Sequence, residues 1–93
     1  MAIWMNIFME AVEGRGDELA ASYAGRCPGI REEPGCINFA FYRNVENPDQ
    51  FILHEEWENE AALDAHRILV QQQGVDISHL RKGTGHREYV SII

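Results

Sequence analysis

A chain of 93 residues is enough for one domain and a single thin core, since folding at this length buries about 60–65% of the surface the unfolded chain exposes. The composition, 45% hydrophobic and 25% charged, excludes disorder, collagen-like repeats and low complexity, and no apolar run approaches the ~18–20 residues of a membrane span. A net charge of −7, with Lys82 the single lysine, repels phosphate backbones and anionic lipid, so neither nucleic acid nor membrane is an expected partner.

The N-terminus lacks a basic region before its apolar stretch and meets Glu10 and Glu13 early. It does not read as a signal peptide, and a cytoplasmic location is expected. Residues 3–12, IWMNIFMEAV, read as a strand. After the Glu13–Gly16 turn, Asp17 is placed to cap a helix and Glu18 to favour its first turn. Leu19, Tyr23, Cys27 and Ile30 recur at spacings of four, four and three, which makes one apolar stripe. Pro28-Gly29 should interrupt and kink this helix, and Pro34 should close it. Residues 36–45, CINFAFYRNV, alternate as a strand and pair through a Glu46–Asp49 turn with FILHEEW at 51–57, giving a hairpin. Asn59 caps a second helix running to about Val70. Residues 75–85 are irregular, with room for one helical turn, and HREYVSII at 86–93 is the last strand.

The order β-α-β-β-α-β is the split βαβ, ferredoxin-like pattern: α+β, a four-stranded antiparallel sheet with both helices on one face. Two helices cover only one face of such a sheet, and the other should read polar in a monomer. Here it does not. In the first strand Ile3, Met5, Ile7 and Met9 alternate with Trp4, Asn6 and Phe8, and in the second Ile37, Phe39 and Phe41 alternate with Cys36, Ala40 and Tyr42. An uncovered face would expose Trp4, Phe8 and Tyr42, each about 150–250 Å² of surface. A patch of that size marks an interface, so the expected partner is a second copy of the chain, sheet against sheet, with Trp4, Phe8 and Tyr42 between the copies.

The stretches REEPGC (31–36) and FILHEEWENEAALDAH (51–66), and the opening strand followed by EGRGDEL (13–19), resemble the antibiotic biosynthesis monooxygenase domain. That family includes quinol monooxygenases acting on polyketide-like phenols and belongs to the dimeric α+β barrel superfamily. The resemblance covers roughly residues 3–70 and the final strand. It implies a homodimer and a cofactor-independent monooxygenase that oxidises a small aromatic substrate with molecular oxygen. The alternatives are a non-catalytic dimeric ligand-binding module and an isomerase on the same fold. Haem-degrading relatives carry Asn in the first strand and Trp in the second helix, where this chain has Ile7 and His66, so haem degradation is disfavoured.

His66 is the first candidate for chemistry. It shares a helix face with Leu63 and Val70, which should point at the sheet, and it matches the family's helical histidine. There it is either the general base or a core histidine bonded to a backbone carbonyl. His54 is the second candidate base. Alternation places it with Ile52 and Glu56, facing either pocket or dimer, with a cross-strand hydrogen bond as the bland alternative. Met5, Ile7, Phe39 and Phe41 are expected to wall the pocket. Trp57 stands at its mouth, where it either stacks on a flat ligand or anchors the helix to the sheet. Glu55 and Glu56 point to opposite sides, and the inward one needs a partner, for which Arg43 or Arg87 is the cheapest. His79 and His86 read as surface residues. No phosphate loop, nucleophile elbow or H-E-x-x-H helix occurs, so no cofactor is expected. No metal is expected either, since Cys27 and Cys36 lack ligand spacing. The two thiols read as reduced, although spacing alone leaves a disulfide open.

Overall fold

A computed structural model describes residues 2–83 and 85–92. Ile93, which the sequence places at the end of the last strand, and the side chain of Arg87 lie outside the described residues. The elements run β1 (Ala2–Glu10), α1 (Gly16–Arg31), β2 (Cys36–Arg43), β3 (Gln50–Trp57), α2 (Glu60–Gln73) and β4 (His86–Ile92). The strands form one sheet in the order β2-β3-β1-β4, with every neighbouring pair antiparallel. This is the ferredoxin-like α+β arrangement.

The period-two pattern of β1 and β3 decides which side chains meet the helices. Met5, Ile7 and Met9 of β1, Phe39 of β2, and Phe51, Leu53 and Trp57 of β3 are buried in one core with Leu19, Tyr23, Cys27 and Ile30 of α1 and Leu63 of α2. The predicted α1 stripe is therefore the buried stripe. On the opposite face the register sets Trp4 against Glu56, Asn6 against His54 and Phe8 against Ile52. Trp4 and Phe8 are each 37% exposed there, and Tyr42 is 56% exposed.

Four local expectations change. Asp17 does not cap α1. The helix begins at Gly16, after Arg15, which makes no side-chain cap, and Asp49 of the β2–β3 turn supplies the carboxylate, accepting from Gly14 N–H at 3.2 Å and Gly16 N–H at 3.1 Å. A residue remote in sequence can cap a helix once the hairpin folds back on it, and Gly16 leaves room for this: a Cβ there would stand 2.6 Å from Asp49 Oδ1. Second, Pro28-Gly29 does not interrupt α1, which continues to Arg31 with Pro28 inside. The proline forgoes one intrahelical bond in the closing turns, while Cys27 and Ile30 on either side stay buried against the sheet. Third, β2 is irregular between Cys36 and Asn38. One extra residue reverses the alternation, so Cys36 packs against the core and Ile37 is 53% exposed. Fourth, α2 runs past Val70 to Gln73, where left-handed Gly74 ends it. Asn59 caps its start as expected, its side chain accepting from Ala62 N–H at 2.9 Å. Residues 75–83 are irregular with one turn, closed by Leu80 N–H donating to Ile77 C=O at 2.9 Å. Among the described residues no helix is long and apolar enough to cross a membrane.

Candidate active site

Only Leu63 and His66 of α2 are buried. A helix seated by two residues stands off the sheet, and between it and β1 lies a cleft of about 520 Å³ lined by Met5, Ile7, Glu55, Leu63, His66 and Arg67, among others. His66 reaches this cleft because it shares the inward face of α2 with Leu63.

The imidazole of His66 is fixed on two sides. Its Nδ1 lies 2.8 Å from Glu33 Oε1. A carboxylate offers only acceptors, so the Nδ1 proton belongs in that bond, and in the neutral form of the ring Nε2 carries the lone pair. The ring packs on Trp57 at 4.7 Å between centroids and on Phe39 at 5.5 Å. Nε2 stands 4.0 Å from Glu55 Oε1, and that same oxygen accepts from Trp57 Nε1–H at 3.0 Å.

Glu33 comes to His66 through the turn after α1. Glu32 caps that helix, its N–H donating to Gly29 C=O at 3.2 Å while Glu33 N–H donates to Ile30 C=O at 3.0 Å, and Glu33 then precedes Pro34-Gly35. Gly35 has φ +81°, and a Cβ on it would stand 2.5 Å from Ala62 Cβ, so the turn packs directly on the first turn of α2. Glu58 N–H donates to Gly35 C=O at 2.8 Å and ties the start of α2 to the same turn. The α1–β2 turn and the start of α2, more than twenty residues apart, thus meet because a glycine permits their close approach, and Glu33 is brought to His66, 33 residues on.

The expected pocket assembles in part. Met5 and Ile7 line the cleft, and Phe39 backs the histidine ring. Phe41 does not join them. It lies in the α1 half of the core, stacked between Tyr23 at 4.1 Å and Phe51 at 4.6 Å. Trp57 is fully buried and holds Glu55 and His66 from behind, so it anchors the site and presents no face at the mouth. Glu55 is the inward carboxylate of its pair. Arg43 is not its partner, because its guanidinium donates to Pro48 C=O and pairs with Asp17.

His54 and His66 do not share a site. His54 stands on the open face, with Nδ1 2.7 Å from Asn6 Oδ1 and Nε2 2.6 Å from Glu56 Oε2, and Trp4 meets its ring edge-on at 5.7 Å. A single residue of offset in a strand is enough to separate them. The open face also holds a larger depression of about 570 Å³, lined in part by Phe8, Tyr42 and Ile52, but neither candidate histidine lines it. His79 is exposed, and His86 pairs with Glu88 at 3.4 Å on the surface. Among the described residues no three His, Cys, Asp or Glu side chains converge to hold a metal ion. Cys27 and Cys36 are both free thiols. Burial raises both, and Cys36, further raised by the nearby Glu33 and Glu55 carboxylates, is pushed up to about 11.

Fold and site together define a ferredoxin-like α+β domain with a carboxylate-held histidine beside a cleft of mixed apolar and charged lining. The same fold recurs in PA3566 from Pseudomonas aeruginosa, at a TM-score of 0.86 and 16% identity over 99% of this chain and 94% of that one. It recurs in SO0527 from Shewanella oneidensis, at a TM-score of 0.83 and 24% identity over 96% and 88%, and in Rv0793 from Mycobacterium tuberculosis, at 0.81 and 16% over 100% and 96%. A stretch of 36 residues is 47% identical to the uncharacterized protein sll1783 of Synechocystis. That stretch covers 39% of this chain and about a quarter, 24%, of the curated relative. The family model for antibiotic biosynthesis monooxygenase matches residues 2–73, and the chain belongs to that family.

Proposed function

We propose that this domain is a cofactor-independent monooxygenase that oxidises a small electron-rich aromatic, quinol- or polyketide-like, with molecular oxygen, and that it works as a homodimer. The observation that carries the reading is the Glu33–His66 pair at 2.8 Å, which fixes the imidazole tautomer with Nε2 as the proton acceptor on the cleft side. Triplet oxygen reacts slowly with closed-shell molecules, but a phenolate is electron-rich enough to reduce it by one electron. The chain's task is then to take the phenol proton at His66 Nε2, hold the ring between Met5, Ile7 and Leu63, and restrict water. The radical pair recombines with one C–O bond formed, and after return of the proton the hydroperoxide loses water to leave a carbonyl. One oxygen atom is retained and the other leaves as water.

The homodimer reading is supported by the exposed aromatics of the open face. Trp4, Phe8 and Tyr42 stand together there, in a chain whose single core is thin, and a second copy of the same sheet would cover them.

The test is oxygen consumption on mixing purified protein with a reduced anthrone or a naphthohydroquinone. Uptake above the uncatalysed rate is expected, and His66→Ala should lower turnover by about 10²–10⁴-fold, the range of a general base. His66→Gln keeps hydrogen bonding without titrating and should be as slow as the alanine variant. A flat trace across several such compounds returns the domain to a ligand-binding role, and equal activity in wild type and both variants removes His66 as the base.

A further inference from the structure

Proton transfer at His66 makes no use of the polar cluster in the middle of the open face. There Nδ1 of His54 lies 2.7 Å from Asn6 Oδ1, and Nε2 lies 2.6 Å from Glu56 Oε2. The side chains of His54 and Glu56 are only 18% and 15% exposed even in a single chain. Both ring nitrogens thus meet an oxygen. A neutral imidazole carries one N–H and this arrangement uses two, so it is the arrangement of an imidazolium, its charge balanced by Glu56. When one proton leaves, Nε2–H still donates to Glu56, and the Asn6 amide can turn to donate to the bare Nδ1. The Glu56 carboxylate then has no counter-charge, because among the described residues it pairs with no lysine or arginine.

A second copy seated on this face covers the cluster. β1 and β3 are the two inner strands of the sheet. Asn6 and His54 are paired across them, with Phe8 and Ile52 on one side of the pair and Trp4 and Glu56 on the other. A partner that covers both Trp4 and Phe8 therefore covers what lies between. Among the described residues the other titratable groups on this face are Tyr42 of β2, the His86–Glu88 pair of β4 and, at the far end of β1, Glu10 with Lys82. Glu88 stands in register with Asn6, but its carboxylate is engaged by His86 at 3.4 Å.

Covering the imidazolium with its carboxylate buries no net charge. Covering the deprotonated cluster buries one uncompensated carboxylate in each copy, which a dry interface disfavours strongly. We infer that the homodimer holds a proton on His54 of each copy that the separated chains give up as pH rises, so that association through this face is controlled by pH. The inference rests on the homodimer reading. The sign follows from proton count: the dimer binds more protons than two free chains, so it weakens as pH rises. Two protons per dimer limit the change in Kd to about 100-fold per pH unit.

The test is the dimer dissociation constant of the full chain, measured by fluorescence-detected sedimentation at about pH 6 and about pH 8, across which imidazoles exchange their proton. Kd should rise at least about tenfold, the equivalent of one pH unit for one proton. Glu56→Gln should reverse the trend, because the charged ring is then the unpaired ion and the neutral ring is not. His54→Gln should bring the two values within about threefold, whereas His86→Asn should keep the wild-type trend. A wild-type dimer with the same Kd at both pH values, a trend that survives His54→Gln, or a trend abolished by His86→Asn alone would each overturn the inference and leave the homodimer standing. Nitrogen NMR of the wild-type dimer needs no variant to fold: both ring nitrogens of His54 should carry protons at the lower pH, and a neutral ring there would overturn the inference as well. A monomer throughout the concentration series would overturn the homodimer reading together with it.

Discussion

Removing the His66 side chain should cost this fold more than an average inward helix position. The side chains of His66 and Glu33 are 8% and 15% exposed, so their contact is not a screened surface pair worth about 0–1 kcal/mol. A hydrogen bond to a charged group in such a place contributes roughly 1.5–3 kcal/mol. His66→Ala also opens a void beside Trp57 and Phe39, and it takes a neighbour from two carboxylates. The sum is about 3–5 kcal/mol. At roughly 4–8 °C per kcal/mol for a domain of this size, Tm should fall by more than ~10 °C. A double-mutant cycle with Glu33→Ala isolates the pair, using urea unfolding of the wild type, the two single variants and the double variant. The expected coupling is about 1.5–3 kcal/mol. Additive losses, within about 0.5 kcal/mol, would mean that the carboxylate does not hold the ring, and the case for a fixed tautomer would go with it.

Light scattering should give about twice the 10.6 kDa chain mass, and Phe8→Glu on the open face should give the monomer; a monomeric wild type would remove the sheet-to-sheet reading. Gly35→Ala should cost roughly 2–4 kcal/mol, because φ is positive and the new Cβ meets Ala62. Gly14→Ala, with φ +78° and open space around it, should cost only about 1 kcal/mol, and equal losses in urea titration would show that the turn does not seat α2. Cys36 titrates at about 11, so at pH 8 only ~0.1% is thiolate, against roughly 20% of an ordinary thiol. Iodoacetamide should therefore label it ~100-fold more slowly than a free thiol, read by peptide mapping, and labelling within tenfold would contradict its burial. The raised value also sets a direction. Between an ordinary thiol's ~8.5 and about 11 the unfolded chain loses a proton that the folded chain keeps, so stability should decline as pH rises through that window.

The order of elements was legible in the sequence because each piece carries its own periodicity. Leu19, Tyr23, Cys27 and Ile30 mark one face of a helix, and Asn59 marks the start of another. The alternation in β1 and β3 by itself places His54 with Ile52 and Glu56. What periodicity could not supply is which of two equivalent faces the helices cover, and so whether His54 or Glu55 enters the core. It could not foresee that an irregularity at Ile37 would turn Cys36 inward, or that Asp49 would cap a helix 33 residues before it. Glu33 is the clearest case. It stands in the REEPGC stretch as one more acidic residue before a turn, and nothing in its spacing from His66 links the two. Their meeting requires the Gly35 turn to lie against Ala62 of α2. Local sequence determines conformation over a few residues, whereas the surroundings of a side chain depend on segments brought together from afar. The base could therefore be nominated from one helix face, but the carboxylates that orient and flank it were decided only when the chain closed on itself.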